Sequence, residues 1–401
     1  MLGATRKVLC VAVIALLMMA VRVAAQTPDP QPAPPPDPAP EKVSWKDRMK
    51  EHLKEPDQAG GMHLSEHWGI AFGGIKQGSG IGAGPAWSTK FTNGGFIQAK
   101  AVISIRNFRL LQVRYDTPTF WDGRAILISR VRWHHAPEVK LYALGPDSPD
   151  RRVDYDERRG EVSSRLELKL RPTVRVIGAF GLERFRTRSD RLDQLTDPAS
   201  LALAAPLPGL GTHPMFAHLF GSIGHDTRLT PDYTRSGHFF EAALHGYNDV
   251  QSIEDSFGRF DGTVEQHVPT HGGKGVISVS ARAWLSMAEG ARSVPFYLTP
   301  TLGGGNLLRA YPTYRFRDRH AMMLAAQYRW AVHRFVDLAA TYEGGKVAPE
   351  VSGLNFDNIA HSIALGVRTH TKKSSLIRMD VAYGREGLAF SIGISASGGG
   401  P

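Results

Sequence analysis

From about residue 66 onward, apolar and polar side chains alternate with a period of two, broken by clusters of Gly, Pro, Asp and Asn. Successive side chains of an extended strand point to opposite faces, so this period predicts strands. In Ile377-Arg378-Met379-Asp380-Val381-Ala382-Tyr383 the odd positions are apolar, and Arg378 and Asp380 face the other way. Met322 to Trp330 is apolar at even positions, with Gln327 and Arg329 opposite. Val336 to Glu343 puts Asp337, Thr341 and Glu343 on its polar side, and Leu388 to Ile394 closes the series.

The segments that fit are 66–75, 82–91, 95–105, 108–117, 124–134, 150–158, 161–171, 173–186, 220–229, 237–249, 258–268, 274–286, 320–331, 334–345, 359–370, 374–384 and 386–395. They make an odd number, whereas bacterial outer-membrane barrels close with an even one. The expectation is therefore an all-β transmembrane antiparallel β-barrel of 16 strands, with the first segment, 66–75, the one that is not a strand. A soluble β-sandwich uses shorter strands and would leave one of these apolar faces in water. Trp133, Tyr328, Trp330, Tyr342 and Tyr383 near strand ends suit an interfacial aromatic girdle. The longest non-strand insert, residues 188–217, reads as an extracellular loop.

Composition narrows the class. Hydrophobic residues make up 42% of the chain, too few for a helical membrane protein. The one long apolar run, Val8 to Val21, follows Arg6 and Lys7 and leads into Val23-Ala24-Ala25. That pattern is a secretory signal peptide spanning residues 1–25, short for a membrane-spanning helix. No later stretch approaches the roughly 20 apolar residues of such a helix, so a membrane-embedded mature chain must be a closed barrel. The sole cysteine, Cys10, lies inside the signal segment. The formal charge is +10, and removing Arg6, Lys7 and Arg22 leaves 10 − 3 = +7. In an exported chain this balance fits anionic lipid headgroups or an anion-conducting pore better than nucleic acid. Arg130, Arg132, Arg329, Arg368 and Arg378 all fall on polar strand faces, which predicts a basic lumen. Residues 26–65 form a linker: 27–40 is a proline-dominated spacer and 42–55 a charged segment able to form a short helix. The barrel domain is 66–401.

One stretch stands apart, Leu302-Gly303-Gly304-Gly305-Asn306-Leu307-Leu308-Arg309-Ala310-Tyr311. Its glycines permit a pliable neck ahead of an arginine that could fold back to meet a carboxylate. This stretch resembles the signature loop of the bacterial surface antigen superfamily, the outer-membrane barrels of BamA and TamA type. Further likenesses occur in family order: Gly224-His225-Asp226-Thr227-Arg228 followed by Ser236-Gly237, then Ala326-Gln327-Tyr328-Arg329, then Tyr342-Glu343-Gly344-Gly345. Together they cover roughly residues 220–395.

The resemblance implies a loop folded into the lumen, with Arg309 paired to acidic residues on the inner wall. Ala310 stands where the family usually has glycine, and Gln327 where it has a carboxylate, which leaves Glu343 as the ionic partner. Asp226 and Arg228 suit a structural lumen salt bridge. The resemblance further implies a monomeric barrel in the bacterial cell outer membrane, of a short form lacking N-terminal POTRA modules. Its partners would be outer-membrane lipids and lipopolysaccharide, with substrate polypeptides or periplasmic accessory proteins. The implied function is insertion or translocation of protein or lipid at that membrane, the alternative being a passive pore or structural barrel. The chain ends in Ala396-Ser397-Gly398-Gly399-Gly400-Pro401 rather than on an aromatic, so recognition by the assembly machinery is expected to be atypical.

No enzyme is expected. The chain has no Gly-x-Ser-x-Gly elbow and no phosphate loop, and Gly80-Ile81-Gly82-Ala83-Gly84 lacks dinucleotide-turn spacing. No cofactor, metal or nucleic acid is expected either. His213 and His218 lack the spacing of a shared helix face, and His134-His135 and His267/His271 read as polar loop or rim residues.

Overall fold

The computed structural model describes residues 61–394 except 64, 151, 189–206, 253–254, 289–292, 306 and 371–374. The signal segment, the proline-rich spacer and the 42–55 segment lie outside the described residues. The first strands are β1 (Gly61–His63), β2 (Trp68–Gly73), β3 (Gly82–Lys90), β4 (Phe96–Ser104), β5 (Arg109–Asp116) and β6 (Ala125–Leu141). Then come β7 (Val153–Arg171), β8 (Val174–Arg188), β9 (Met215–Asp226), β10 (Gly237–Asp249), β11 (Phe257–Thr270) and β12 (Gly275–Met287). After the two-residue strands β13 (Thr301–Leu302) and β14 (Phe316–Arg317) follow β15 (His320–His333), β16 (Val336–Ala348), β17 (Ala360–His370), β18 (Ser375–Gly384) and β19 (Gly387–Ile394).

Each strand from β2 to β12 pairs antiparallel with the next, β12 pairs with β15, and the ladder continues to β19. Counting β2–β12 and β15–β19 gives the 16 strands of the barrel. β1 pairs residues 61–63 with the edge of β2, and β13 with β14 forms a small separate hairpin. The segment 66–75 is thus a strand after all, β2. The surplus segment arose elsewhere: 150–158 and 161–171 are one continuous strand, β7. Gly160, which lies between them, sits inside the ladder opposite Trp133 and Arg184, with open space where its Cβ would be.

The alternation has become two faces. Outward positions such as Leu219, Ile223, Leu244, Val279, Ile363, Leu365, Val381 and Phe390 are exposed, while Glu343, Ser362, Asp337, Arg368 and Asp380 are buried. Exposed apolar and buried charged side chains reverse the order of a water-soluble protein and fit a lipid-facing exterior with a polar interior. Among the described residues no helix is long and apolar enough to cross a membrane. The sheet is rolled up. Arg315 reaches both Ser148, between β6 and β7, and Glu386, between β18 and β19. With strands about 4.8 Å apart, a flat sheet would hold those sites on the order of 50 Å from each other.

The strand ends that flank the longest connections, 142–152, 189–214 and 288–319, lie at one end of the barrel, and tight turns such as 172–173 and 334–335 at the other. Outer-membrane barrels place their long loops outside the cell, which orients the chain. Val279 and Ser280 sit at one depth on opposite faces of β12, Val279 being 47% exposed. In lipid vesicles Val279→Arg should lower folding free energy by about 2–4 kcal/mol, whereas Ser280→Arg, across from Glu265, should cost less than half as much. Equal costs in a folding titration would contradict the face assignment.

Candidate functional site

The connection between β12 and β15 turns back into the lumen. At its neck Gly303 and Gly304 have φ of 114° and 104°, a region closed to most side chains. A Cβ on Gly303 would lie 2.2 Å from the Pro312 carbonyl, so no larger residue fits. The tip is bonded to itself: Gly303 N–H donates to Leu307 O at 2.9 Å, Gly304 N–H to Tyr311 O at 2.9 Å, and Tyr311 N–H to Leu308 O at 3.0 Å. Leu308 adopts φ of 57°, a left-handed conformation that costs a β-carbon residue on the order of 1–2 kcal/mol. Burial offsets it. Leu308 is fully enclosed with Leu302, Phe316, Met323 and Val347 in one apolar cluster. Gly345 on β16 makes room for that cluster, since a Cβ there would lie 2.9 Å from Leu302 Cδ1.

The turn delivers Arg309 to the inner wall. Its guanidinium donates to Glu343 Oε1, and its backbone N–H donates to Glu343 Oε2 at 2.7 Å. Its Nε also lies 3.5 Å from Asp380 Oδ2, with the Arg309 side chain 9% exposed and both carboxylates 1%. Asp380 in turn receives Arg368 Nη2 at 2.6 Å and Arg378 Nε at 3.4 Å. Arg378 also donates to Gly305 O at 2.8 Å, binding the neck of the loop to β18. Charges withdrawn from water are tolerated when paired and hydrogen-bonded; both carboxylates here are ion-paired and each accepts a hydrogen bond, while Arg309 Nε and Asp380 Oδ2 meet only as an ion pair.

The neighbouring residues fix the depth of insertion. Ala310 N–H donates to Ser362 Oγ at 3.0 Å. Gly384 faces it, and a Cβ on Gly384 would come within 2.8 Å of the Ala310 methyl. The alanine at this position is thus housed by a glycine on the facing wall. Tyr311 is buried, its hydroxyl accepting the Arg385 N–H at 3.4 Å.

Two sequence expectations change. Gln327 does not serve Arg309. It donates to Thr341 Oγ1 at 2.9 Å, and the residue facing Glu343 on β15 is Ala325. Nor is Glu343 the only carboxylate at Arg309, because Asp380 is the second. Its signal was present, since Asp380 shares the polar face of its strand with Arg378. The three-strand register that sets β18 across β17 from β16 was not.

Asp226, Thr227 and Arg228 lie apart from this cluster, where β9 meets the 227–236 connection. Arg228 grips Asp226 through Nε and Nη2 at 2.9 and 3.0 Å and Glu265 through Nη1 at 2.9 Å. Thr227 Oγ1 accepts the His238 N–H at 2.9 Å. The same connection sends Tyr233 into the lumen, where its hydroxyl donates to Asp337 at 2.8 Å and its ring stacks on His370. Burial and then the Asp337 hydrogen bond push that hydroxyl up to about 12, so it remains a donor. Arg329 joins Asp337 at 3.2 Å. At the opposite end, Lys76 and His134 converge on Glu157 at 2.5 and 3.2 Å, and Arg315 spans the mouth as described. Among the described residues no group of three or more His, Cys, Asp or Glu is arranged to hold a metal ion.

Sixteen antiparallel strands, a lipid-compatible exterior and a loop inserted into the lumen define a transmembrane β-barrel of the outer-membrane class. Solved structures of that class are similar to it. BamA from Haemophilus ducreyi lacking POTRA domains 1–3 matches with a TM-score of 0.61 and 11% identity, over 83% of this chain and 70% of that one. CdiB from Escherichia coli gives 0.54 and 12% over 82% of this chain, and CdiB from Acinetobacter baumannii 0.51 and 11% over 83%. The chain spans 62% and 58% of the lengths of those two CdiB structures. At such identity the likeness is one of fold. No family model and no curated protein matches the sequence.

Arg309→Ala and Glu343→Gln should each destabilise the folded barrel by about 3–5 kcal/mol, as removal of one partner strands the other buried charge. The double variant should lose less than the sum. Denaturant titrations of the four proteins in detergent check this, and strictly additive losses would contradict the pairing.

Proposed function

We propose that the protein is a BamA/TamA-type outer-membrane barrel, a member of the bacterial surface antigen superfamily. It assists insertion or translocation of polypeptide or lipid at that membrane. The observation that carries this reading is the Arg309 loop, seated in the lumen of a barrel whose fold is similar to BamA and CdiB. The signal segment and the sixteen-strand count are consistent with export to the outer membrane as a monomer embedded among lipids and lipopolysaccharide. Chemistry is not proposed, since the site is built from ion pairs committed to one another. A passive pore is the weaker alternative. The loop, Arg315 and the Lys76–His134–Glu157 cluster make ion pairs and hydrogen bonds across the lumen toward the long-loop end, which a passive pore does not require.

Depletion of the protein in its host should lower the levels of other outer-membrane proteins or disturb surface lipid within a few generations, before growth fails. Quantitative proteomics of the outer-membrane fraction reads this out. An unchanged outer-membrane composition under full depletion would overturn the assembly role while leaving the fold intact.

A further inference from the structure

The outward face of β5–β8 carries a feature that neither the inserted loop nor the assembly reading uses. Outward positions on these strands share the parity of Leu111, Val131, Val162 and Leu182, all exposed. Followed toward the long-loop end, that parity leads into a row of cations. Arg109 on β5 stands directly opposite His135 on β6, His135 opposite Arg158 on β7, and Arg158 opposite Arg186 on β8. Arg184 lies one pleat below Arg186 on the same face.

The row sits on the border between apolar and polar exterior. One pleat nearer the membrane centre, Leu111, Trp133 and Gly160 are in register with Arg184. One pleat further in, the register reads Val113, Val131, Val162 and Leu182. Gly160 contributes no side chain, and a Cβ there would meet nothing within 4 Å. It leaves a notch in the outer wall between Trp133 and Arg184, below Arg158. Above the row the charge is mixed, with Lys140 opposite Asp154 and Asp156 opposite Arg188.

The barrel does not repeat this row on its next sector. The corresponding outward positions of β10–β12 hold Gly246, Asn248, Gly258, Phe260, Leu285 and Met287, none of them charged. Nor do the protein's own acids enclose it. Asp156 bonds His135 and lies 3.4 Å from Arg158 Nε, yet the Arg158 side chain stays 50% exposed. Arg109 donates to Asn107 Oδ1 at 3.2 Å, a neutral partner. Arg184 and Arg186 are exposed and, among the described residues, enter no ion pair. Arginine on a lipid-facing wall is costly at the membrane midplane and tolerated near the interface, where its stem lies on apolar surface and its head reaches the headgroup layer. A guanidinium fork takes phosphate two oxygens at a time. Three interstrand steps of about 4.8 Å spread the row over roughly 14 Å, wider than one phosphate.

We propose that Arg109, His135, Arg158, Arg184 and Arg186 bind the headgroup of an outer-leaflet lipid that carries more than one phosphate. Its acyl chains lie on the apolar field below. The long-loop end puts the row in the outer leaflet, and the apolar field directly beneath it calls for an amphiphile rather than a dissolved anion. That chemistry is a phosphorylated glycolipid. The site rests on the outer-membrane reading and is independent of the assembly role.

The test uses the full chain folded in neutral detergent, with native mass spectrometry counting retained lipid. Diphosphoryl lipid A is the probe, and phosphatidylcholine and inorganic pyrophosphate are the comparators. Lipid A should be retained in a saturable way, phosphatidylcholine should not, and equimolar pyrophosphate should not displace lipid A. Arg158→Gln with Arg184→Gln and Arg186→Gln should raise the half-saturating lipid A concentration by about tenfold or more. Lys346→Gln, which removes an outward cation on β16, should leave it unchanged. The three arginines changed to lysine keep the charge but lose the forks, and should bind with intermediate strength. Equal retention of phosphatidylcholine would overturn the proposal, as would an unchanged half-saturation in the glutamine variant. Full displacement by pyrophosphate would make this a free-anion site and overturn the lipid assignment. A chain with no heat-dependent gel shift would overturn the outer-membrane reading and the site with it.

Discussion

The structure depends on how Glu343 and Asp380 are neutralised. Each carboxylate is 1% exposed on the inner wall, and a charge so far from water is sustained only by opposite charge and hydrogen bonds at close range. Arg368 and Arg378 come from the wall itself, on β17 and β18. Arg309 must be brought in by a loop, and the loop's whole construction follows from that requirement. Two glycines fold the neck where no Cβ is tolerated, Leu308 accepts a left-handed backbone in return for full burial, and Gly345 and Gly384 clear the wall for the incoming leucines and Ala310. Outside the lumen none of these costs would be offset.

The same principle recurs at two further levels of the barrel. Near the tight turns, Tyr233 and Arg329 meet Asp337 beside His370. Toward the long loops, Lys76 and His134 meet Glu157, and Arg315 bridges Ser148 to Glu386. The Tyr233–Asp337, Lys76–Glu157, Arg315–Ser148 and Arg315–Glu386 contacts join segments far apart in sequence, so they hold the rolled sheet across its interior as the hydrogen-bond ladders hold it along its surface. Apolar burial, which organises a soluble protein, is here left to the lipid on the exterior and, among the described residues, to three local clusters that each take in residues of the 288–319 connection.

Much of this was legible in the chain. A period of two reports which face a residue occupies, and in β15 through β19 it assigned Arg329, Asp337, Glu343, Arg368 and Asp380 to the lumen. It says nothing of where a strand ends, and β7 was therefore expected as two strands, 150–158 and 161–171, while β2 was set aside. The Gly-rich neck and Arg309 were recognisable because their conformational demands are local. The pairing of Arg309 with Asp380 was not, since it depends on strand register and on how deeply the loop enters. For the same reason Gln327 looked close to Arg309 in sequence terms, yet it sits one pleat away, against Thr341. The row from Arg109 through His135 and Arg158 to Arg186 likewise appears only once β5 to β8 are in register.

Insertion of the loop into the lumen is the claim on which the rest stands, and a disulfide tests it most directly. Ala310 N–H lies 3.0 Å from Ser362 Oγ, with both residues buried, so cysteines there are near enough to join. With the sole native cysteine, Cys10, replaced by serine, the Ala310→Cys/Ser362→Cys protein should form the bond on mild oxidation in intact membranes. It should then resist labelling by a membrane-impermeant maleimide and show altered gel mobility until reduced. Failure to cross-link, together with rapid maleimide labelling of position 310 from the outside, would contradict the account.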